Sequence, residues 1–230
     1  MRSLWRTLDG GLLRDIALVC LAVGVIGLSY GAVAVTSGFA WWFPVLMGAL
    51  VLAASSEFLF IGIIAAGGSP IAALLAGLLV NARHLPFGLA VPDVLGRGWR
   101  RMLGTHLMND ETVVFAIAQD ELSNKRAAYW TCGLGILLCW PVGAALGALL
   151  GSVVEDTATL GLDAMFPAVI LALILPALKD RALRRTALAG VALALAATTF
   201  LPTGLPVLAA LAALPLFTVF TAKAAEGAAR

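Results

Sequence analysis

Charge is scarce in this chain. Only 12% of its 230 residues are charged, against about a quarter in an average soluble domain, while 61% are hydrophobic and the mean hydropathy is +1.00. That shortage excludes a soluble globular domain and identifies an integral membrane protein. The net charge of +2 is small and scattered, which argues against nucleic acid as a partner. Cysteine is scarce too: Cys20, Cys132 and Cys139 all lie in apolar runs, and an odd number there argues against a disulfide framework and reads as small core residues. With only two histidines, His84 and His106, the chain offers no metal-spaced His pair, no Cys-His set and no nucleophile elbow. Neither a metal nor a cofactor is expected.

What is abundant is long apolar sequence. Runs bounded by charges, Gly and Pro mark about eight candidate segments: Ile16–Val35, Phe43–Ala66, Pro70–Val91, Met102–Gln119, Tyr129–Val154, Asp163–Leu178, Thr186–Leu201 and Pro206–Ala222. The runs are continuously apolar and rich in Leu and Ala, so helices are expected in place of a barrel. The fold expected is therefore all-α, a single polytopic transmembrane helical bundle over residues 1–230 with 7–8 membrane segments, some short, broken or re-entrant. The basic stretch before Ile16 superficially resembles a signal peptide, but the run that follows is long enough to span and reads as a retained first helix. Gly24, Gly27 and Gly31, and again Gly143, Gly147 and Gly151, place small residues on one helix face and suit close helix contact.

The positive-inside rule puts the basic stretch Lys179–Arg185 in the cytoplasm and the acidic loop with Glu155, Asp156 and Asp163 outside. Eight full spans would keep both termini and Lys125-Arg126 inside the cell, in a cytoplasmic membrane. One loop disagrees, because Arg97, Arg100 and Arg101 would then face outward. Either the rule is violated locally or a neighbouring polar segment does not cross, leaving seven spans. A faint internal duplication, Trp42-Phe43-Pro44-Val45 against Met165-Phe166-Pro167-Ala168, would suit a transporter repeat.

Three polar islands interrupt the apolar runs. An ionisable side chain at membrane depth costs roughly 2.5 to 3.5 kcal/mol even on the mildest scale, so each island asks for a ligand or an ion path. In Ser55-Ser56-Glu57 the carboxyl must pair, take up a proton or face water, and Arg83 is the obvious partner. In Asn81-Ala82-Arg83-His84-Leu85-Pro86, Pro86 removes a backbone hydrogen bond and crowds the carbonyl of Ala82, so a kink or break is expected there. Arg83 could grip a carboxylate in two-pronged fashion, Asn81 and His84 share a face, and His84 could carry a proton. The plain alternative is that Arg83 and His84 snorkel to the lipid headgroups. In Met102–Gln119, His106 and Asp110 stand four apart and could meet on one face, with Asn109 beside them. Asp110 or Glu111 is then a proton site or a contact for an ammonium, unless these residues merely cap a helix at an aqueous boundary.

These strings carry a resemblance. Ala54-Ser55-Ser56-Glu57-Phe58, Asn81-Ala82-Arg83-His84-Leu85-Pro86-Phe87-Gly88, Asn109-Asp110-Glu111 and Gly161-Leu162-Asp163 with Pro176–Arg181 resemble the signature segments of the AzlC family of branched-chain amino acid exporters, from about Gly10 to the C-terminus. The chain departs from the family pattern at Ser56 and Glu57, where Gly-Ser-Ala-Gln-Phe is usual, at Pro86-Phe87, where Leu-Tyr is common, and at Asn109, where Thr is common. The resemblance implies a secondary transporter that exports Leu, Ile, Val and sometimes Met, and that works with a small membrane subunit of the AzlD type. That fits the reading of the islands themselves, in which Arg83, Asn81, His84, Ser55, Ser56 and Phe87 are expected around the amino acid substrate, with Phe58 and Phe60 as further apolar contacts, and Glu57, Asp110 and Glu111 as proton-coupling groups. No nucleotide motif and no loop for docking an ATPase is seen. Two other readings are an intramembrane enzyme using His84, His106, Glu57 and Asp110, and a non-transporting assembly subunit, whose polar islands would tolerate neutral substitution.

Overall fold

The computed structural model describes residues 8–153, 171, 175, 177–201, 205–215 and 217, and among these all regular structure is helical, as a membrane bundle requires. The order is α1 (Gly10–Thr36), α2 (Trp42–Leu50), α3 (Ala54–Ala65), α4 (Pro70–Asn81), α5 (His84–Ala90), α6 (Trp99–His106), α7 (Asp110–Ile117), α8 (Leu122–Val153), α9 (Arg181–Ala197) and α10 (Leu205–Ala209). Among the described residues, three stretches are long and apolar enough to cross a bilayer: α1, the α4–α5 pair over Pro70–Ala90, and α8. Asp163–Leu178 for the most part, the last residues of Pro206–Ala222, the acidic loop from Glu155 to Asp163 and the duplicated Met165–Ala168 lie outside the described residues.

Three of the expected continuous segments are interrupted near their middles. Phe43–Ala66 is two helices, α2 and α3, separated at Val51, Leu52 and Ala53. Leu52 holds φ at 53°, a left-handed conformation that costs a non-glycine residue roughly 1–2 kcal/mol. Pro70–Val91 breaks at Ala82-Arg83, and Pro86 sits in the first turn of α5, where a missing N–H is harmless. Met102–Gln119 breaks at Asn109, whose side chain accepts from Thr112 N at 2.9 Å while Thr112 Oγ1 accepts from Asn109 N at 2.9 Å, a reciprocal cap that starts α7.

The chain divides into two compact units. The first, residues 8–58 and 79–153 as described, is built on α1 and α8. These helices run parallel, since the contact partners rise together: Gly24 meets Cys139, Gly27 meets Trp140 and Ala144, Gly31 meets Ala148, and Ala32 meets Gly151. Both glycine rows lie in this one seam. A Cβ on Gly27 would stand 2.9 Å from the Trp140 carbonyl oxygen, and one on Gly31, Gly143 or Gly147 would overlap a carbonyl oxygen of the facing helix. Cys20 and Cys132 are buried free thiols in the same contact, the Cys20 Sγ lying 3.8 Å from the Cys132 carbonyl.

The foot of α8 settles the arginine loop. Arg126 donates to the Asp93 carbonyl through Nε at 3.0 Å and Nη2 at 2.8 Å, and Trp130 Nε1 donates to the Val94 carbonyl at 3.3 Å. The loop between α5 and α6 therefore lies at the N-terminal end of α8, on the same face as the start of α1. Met102–Gln119 is thus not a span: α6 and α7 leave this face and return to it as a re-entrant hairpin. Leu107 at its tip packs on Gly133, seven residues and about 10 Å beyond Arg126 along α8. Arg97, Arg100 and Arg101 share one face with Lys125 and Arg126, in keeping with the positive-inside rule. Thr36 and Val91 lie on opposite faces, so the chain from α2 to α5 makes an odd number of crossings, not the two that continuous segments would give.

In the second unit, Ile63, Ala73 and Ala76 form a small buried core with Leu59, Phe60, Ile64 and Leu208 packed on it. There α9, capped by Asp180 through Leu183 N at 2.7 Å, brings Gly190 against the turn at Ala210.

Candidate functional site

The three breaks supply the site, because each leaves backbone and polar side chains free at depth within the first unit. At the α4–α5 break, Arg83 reaches across to the other two. Its Nη1 lies 2.6 Å from Asp110 Oδ2, and its Nη2 donates to Ser55 Oγ at 2.8 Å. The arginine and aspartate side chains are 32% and 46% exposed, so the pair opens onto a space and is not sealed in a core. Glu111, half-buried in the same first turn of α7, is within electrostatic reach of both. Sequence reasoning and structure meet here: Arg83, Ser55, Asp110 and Glu111 come together.

Glu57 does not join them. The expected Glu57–Arg83 tie is absent, because Ser55 and Glu57 are two residues apart on α3 and project from different sides of it. Glu57 is fully buried and accepts from Ala53 N at 2.9 Å, while Trp140 Nε1 lies 3.2 Å from both of its carboxylate oxygens. Tyr30, also fully buried, stacks on Trp140 at 5.2 Å between ring centroids, with its hydroxyl close to the carboxylate. Phe58 closes the group edge-on to Tyr30 at 5.2 Å. The Glu57 carboxylate thus closes back on the strained α2–α3 break, and a strained backbone persists only where its surroundings fix it this firmly. Ser56 serves the same break, its hydroxyl donating to the Ala53 carbonyl at 2.9 Å.

The two histidines also part from expectation. His106 and Asp110 stand on different helices, separated by the Asn109 cap, and do not meet. His106 Nε2 is 2.9 Å from the Ala49 carbonyl, which ties the re-entrant tip to the end of α2. His84 Nδ1 is 2.8 Å from the Asn81 carbonyl, closing the α4–α5 break. A carbonyl only accepts, so each of these nitrogens carries its proton. Phe87, half-buried, lies edge-on to His84 at 5.9 Å. Phe60 belongs to the second unit.

Comparison with known proteins adds the lineage. The sequence model of one family, described as AzlC protein, matches residues 18–154. The chain belongs to the AzlC family. It is 28% identical over 174 residues to the Branched-chain amino acid transport protein AzlC of Bacillus subtilis (strain 168), covering 74% of this chain and 68% of that protein. It is 31% identical over 132 residues to an Uncharacterized membrane protein of Haemophilus influenzae, covering 56% of this chain and 54% of that one. It is 24% identical over 181 residues to another so named from Helicobacter pylori (strain 26695), covering 76% and 78%. No solved structure matches the chain. The AzlC-family match runs from within α1 to the end of α8, and so covers all three breaks.

Sequence reasoning missed Trp140, Tyr30 and Ala53 as the partners of Glu57, and treated Asn109 only as a neighbour of the carboxylates. A Trp in an apolar run is a usable signal, since a buried indole N–H needs an acceptor. Among the described residues no three His, Cys, Asp or Glu side chains gather where a metal could be held.

Proposed function

We propose that this AzlC-family chain is the large subunit of a secondary transporter that exports branched-chain and other apolar amino acids, is coupled to protons, and works with a small AzlD-like membrane subunit. The observation that carries the reading is the Arg83–Asp110 pair, a half-exposed ion pair held between three broken segments. Broken helices around a charged midplane site are how secondary transporters hold small ions and zwitterions. In the ion pair the two side chains neutralise each other. An amino acid carries the same two charges, so its carboxylate replaces Asp110 on Arg83 and its ammonium replaces Arg83 on Asp110. The exchange leaves the net charge of the site unchanged, which avoids isolating an ion at membrane depth.

Glu57 is assigned the proton. Among the described residues no cation pairs with it, and its partners are neutral donors, so one proton removes its charge without dismantling a salt bridge. The α6–α7 tip is joined to α2 through His106, and the start of α7 to the α4–α5 break through Asp110 and Arg83, beside the α1–α8 seam as frame.

The test is leucine efflux from preloaded cells expressing the chain with its partner. Arg83→Ala is expected to abolish efflux, and Asp110→Asn to cut it by about tenfold, at unchanged membrane abundance. Unchanged efflux in Arg83→Ala sinks the site.

A further inference from the structure

On Arg83 and on the residues just before it and just before Asp110, three buried polar atoms have no hydrogen-bond partner: Arg83 Nε, Asn81 Oδ1 and Asn109 Nδ2. A buried donor or acceptor left unpaired costs about 1–3 kcal/mol, so the three call for an explanation. Asn109 is the most constrained. Its residue is only 5% exposed, and its amide orientation is fixed because Oδ1 accepts from Thr112 N at 2.9 Å. The nitrogen is therefore the orphan, and it sits one residue before the aspartate that binds Arg83. A cap needs only the oxygen, so Ser, Thr or Asp would start α7 as well. The NH2 group has no hydrogen-bond partner within the fold.

The polarity of the orphans indicates what they await. Two are donors and one is an acceptor, the complement of a carboxylate with two oxygens beside an ammonium. We propose that Asn109 is a specificity-determining residue, its Nδ2 donating to the substrate carboxylate alongside Arg83, with Asn81 Oδ1 accepting from the ammonium beside Asp110. This rests on the amino acid reading of the site and deepens it: the pocket selects the zwitterion through neutral amides in addition to the ion pair. A ligand with only one of the two charged ends leaves orphans at the other, and a site with buried polar groups rejects such an analogue strongly.

The experiment is displacement of radiolabelled leucine from the purified chain with its partner in nanodiscs. The competitors are leucine, 4-methylpentanoate, which lacks the ammonium, and 3-methylbutylamine, which lacks the carboxylate. Asn109→Ser keeps the cap and withdraws the donor. It is expected to weaken leucine and 4-methylpentanoate about tenfold each, the worth of one hydrogen bond to a charged group, with 3-methylbutylamine and the melting temperature unchanged. Asn109→Asp keeps both cap and shape but opposes the carboxylate, and is expected to weaken the same two ligands further. Unchanged leucine affinity in Asn109→Ser, or equal weakening of all three ligands, overturns the assignment while leaving the amino acid reading intact. A wild-type protein that binds no leucine overturns both.

Discussion

Glu57 and Asp110 are both carboxylates beside a helix break in the same unit, yet they keep opposite company. Glu57 is fully buried, receives neutral N–H donors and faces three aromatic rings. Asp110 is nearly half exposed and meets a guanidinium. Both Glu57 oxygens are engaged by N–H donors, whereas beside Asp110 the Arg83 Nε and the Asn109 Nδ2 are without partners. The difference separates a group that fixes backbone, and is available to a proton, from one that is exchanged for substrate.

Substitutions can break that contrast. The largest effect on the fold is expected from Glu57→Ala, which strands the Ala53 N–H and the Trp140 indole N–H around a new void; a loss of about 3 kcal/mol or more should appear as sharply reduced yield and melting temperature in detergent. Asp110→Ala should leave the melting temperature within a few degrees and still remove efflux. If both variants lose stability equally, the contrast fails. Trp140→Phe keeps the stacking on Tyr30 but withdraws one donor from Glu57, and should cost about 1–2 kcal/mol by the same melting assay. Glu57→Gln is milder, because an amide oxygen still accepts from Ala53 N. Its expected signature is leucine counterflow retained while efflux no longer responds to an imposed proton gradient; a gradient response equal to wild type removes Glu57 from coupling. Ser55→Ala, which withdraws one neutral contact from Arg83, should raise the half-saturating leucine concentration only a few-fold.

Some of this was legible in the sequence because the physics is local. The all-helical membrane class follows from hydropathy, and the α4–α5 break from Pro86. The start of α7 was half visible in Asn109-Asp110-Glu111, which reads as a capped helix as readily as a buried acidic pair, and the structure has the cap and the ion pair together. The break at Leu52 was not legible, since Val51-Leu52-Ala53 contains neither Gly nor Pro and its strained backbone is held by a carboxylate four residues on from Ala53. The partner of Glu57 was hidden for another reason. Trp140 is distant in sequence, and nothing local distinguishes it from Arg83, the nearest charge of opposite sign. The arginine loop was the most useful disagreement, because its mismatch with eight spans pointed to a segment that does not cross, and Arg126 on the Asp93 carbonyl identifies α6–α7 as that segment.

The parallel seam of α1 and α8 also sets a schedule. Gly27 and Gly31 find their partners only after Ala144 and Ala148 have been made, more than a hundred residues later. At roughly 5–20 residues per second, α1 waits in the bilayer on the order of ten seconds with its glycine face unmatched. The polar islands are inserted during that interval, before the frame that will enclose them exists. Ser55, Arg83 and Asp110 are all in place before α8 arrives, so the contacts among them can form before the frame is complete, whereas the Trp140 contact of Glu57 cannot.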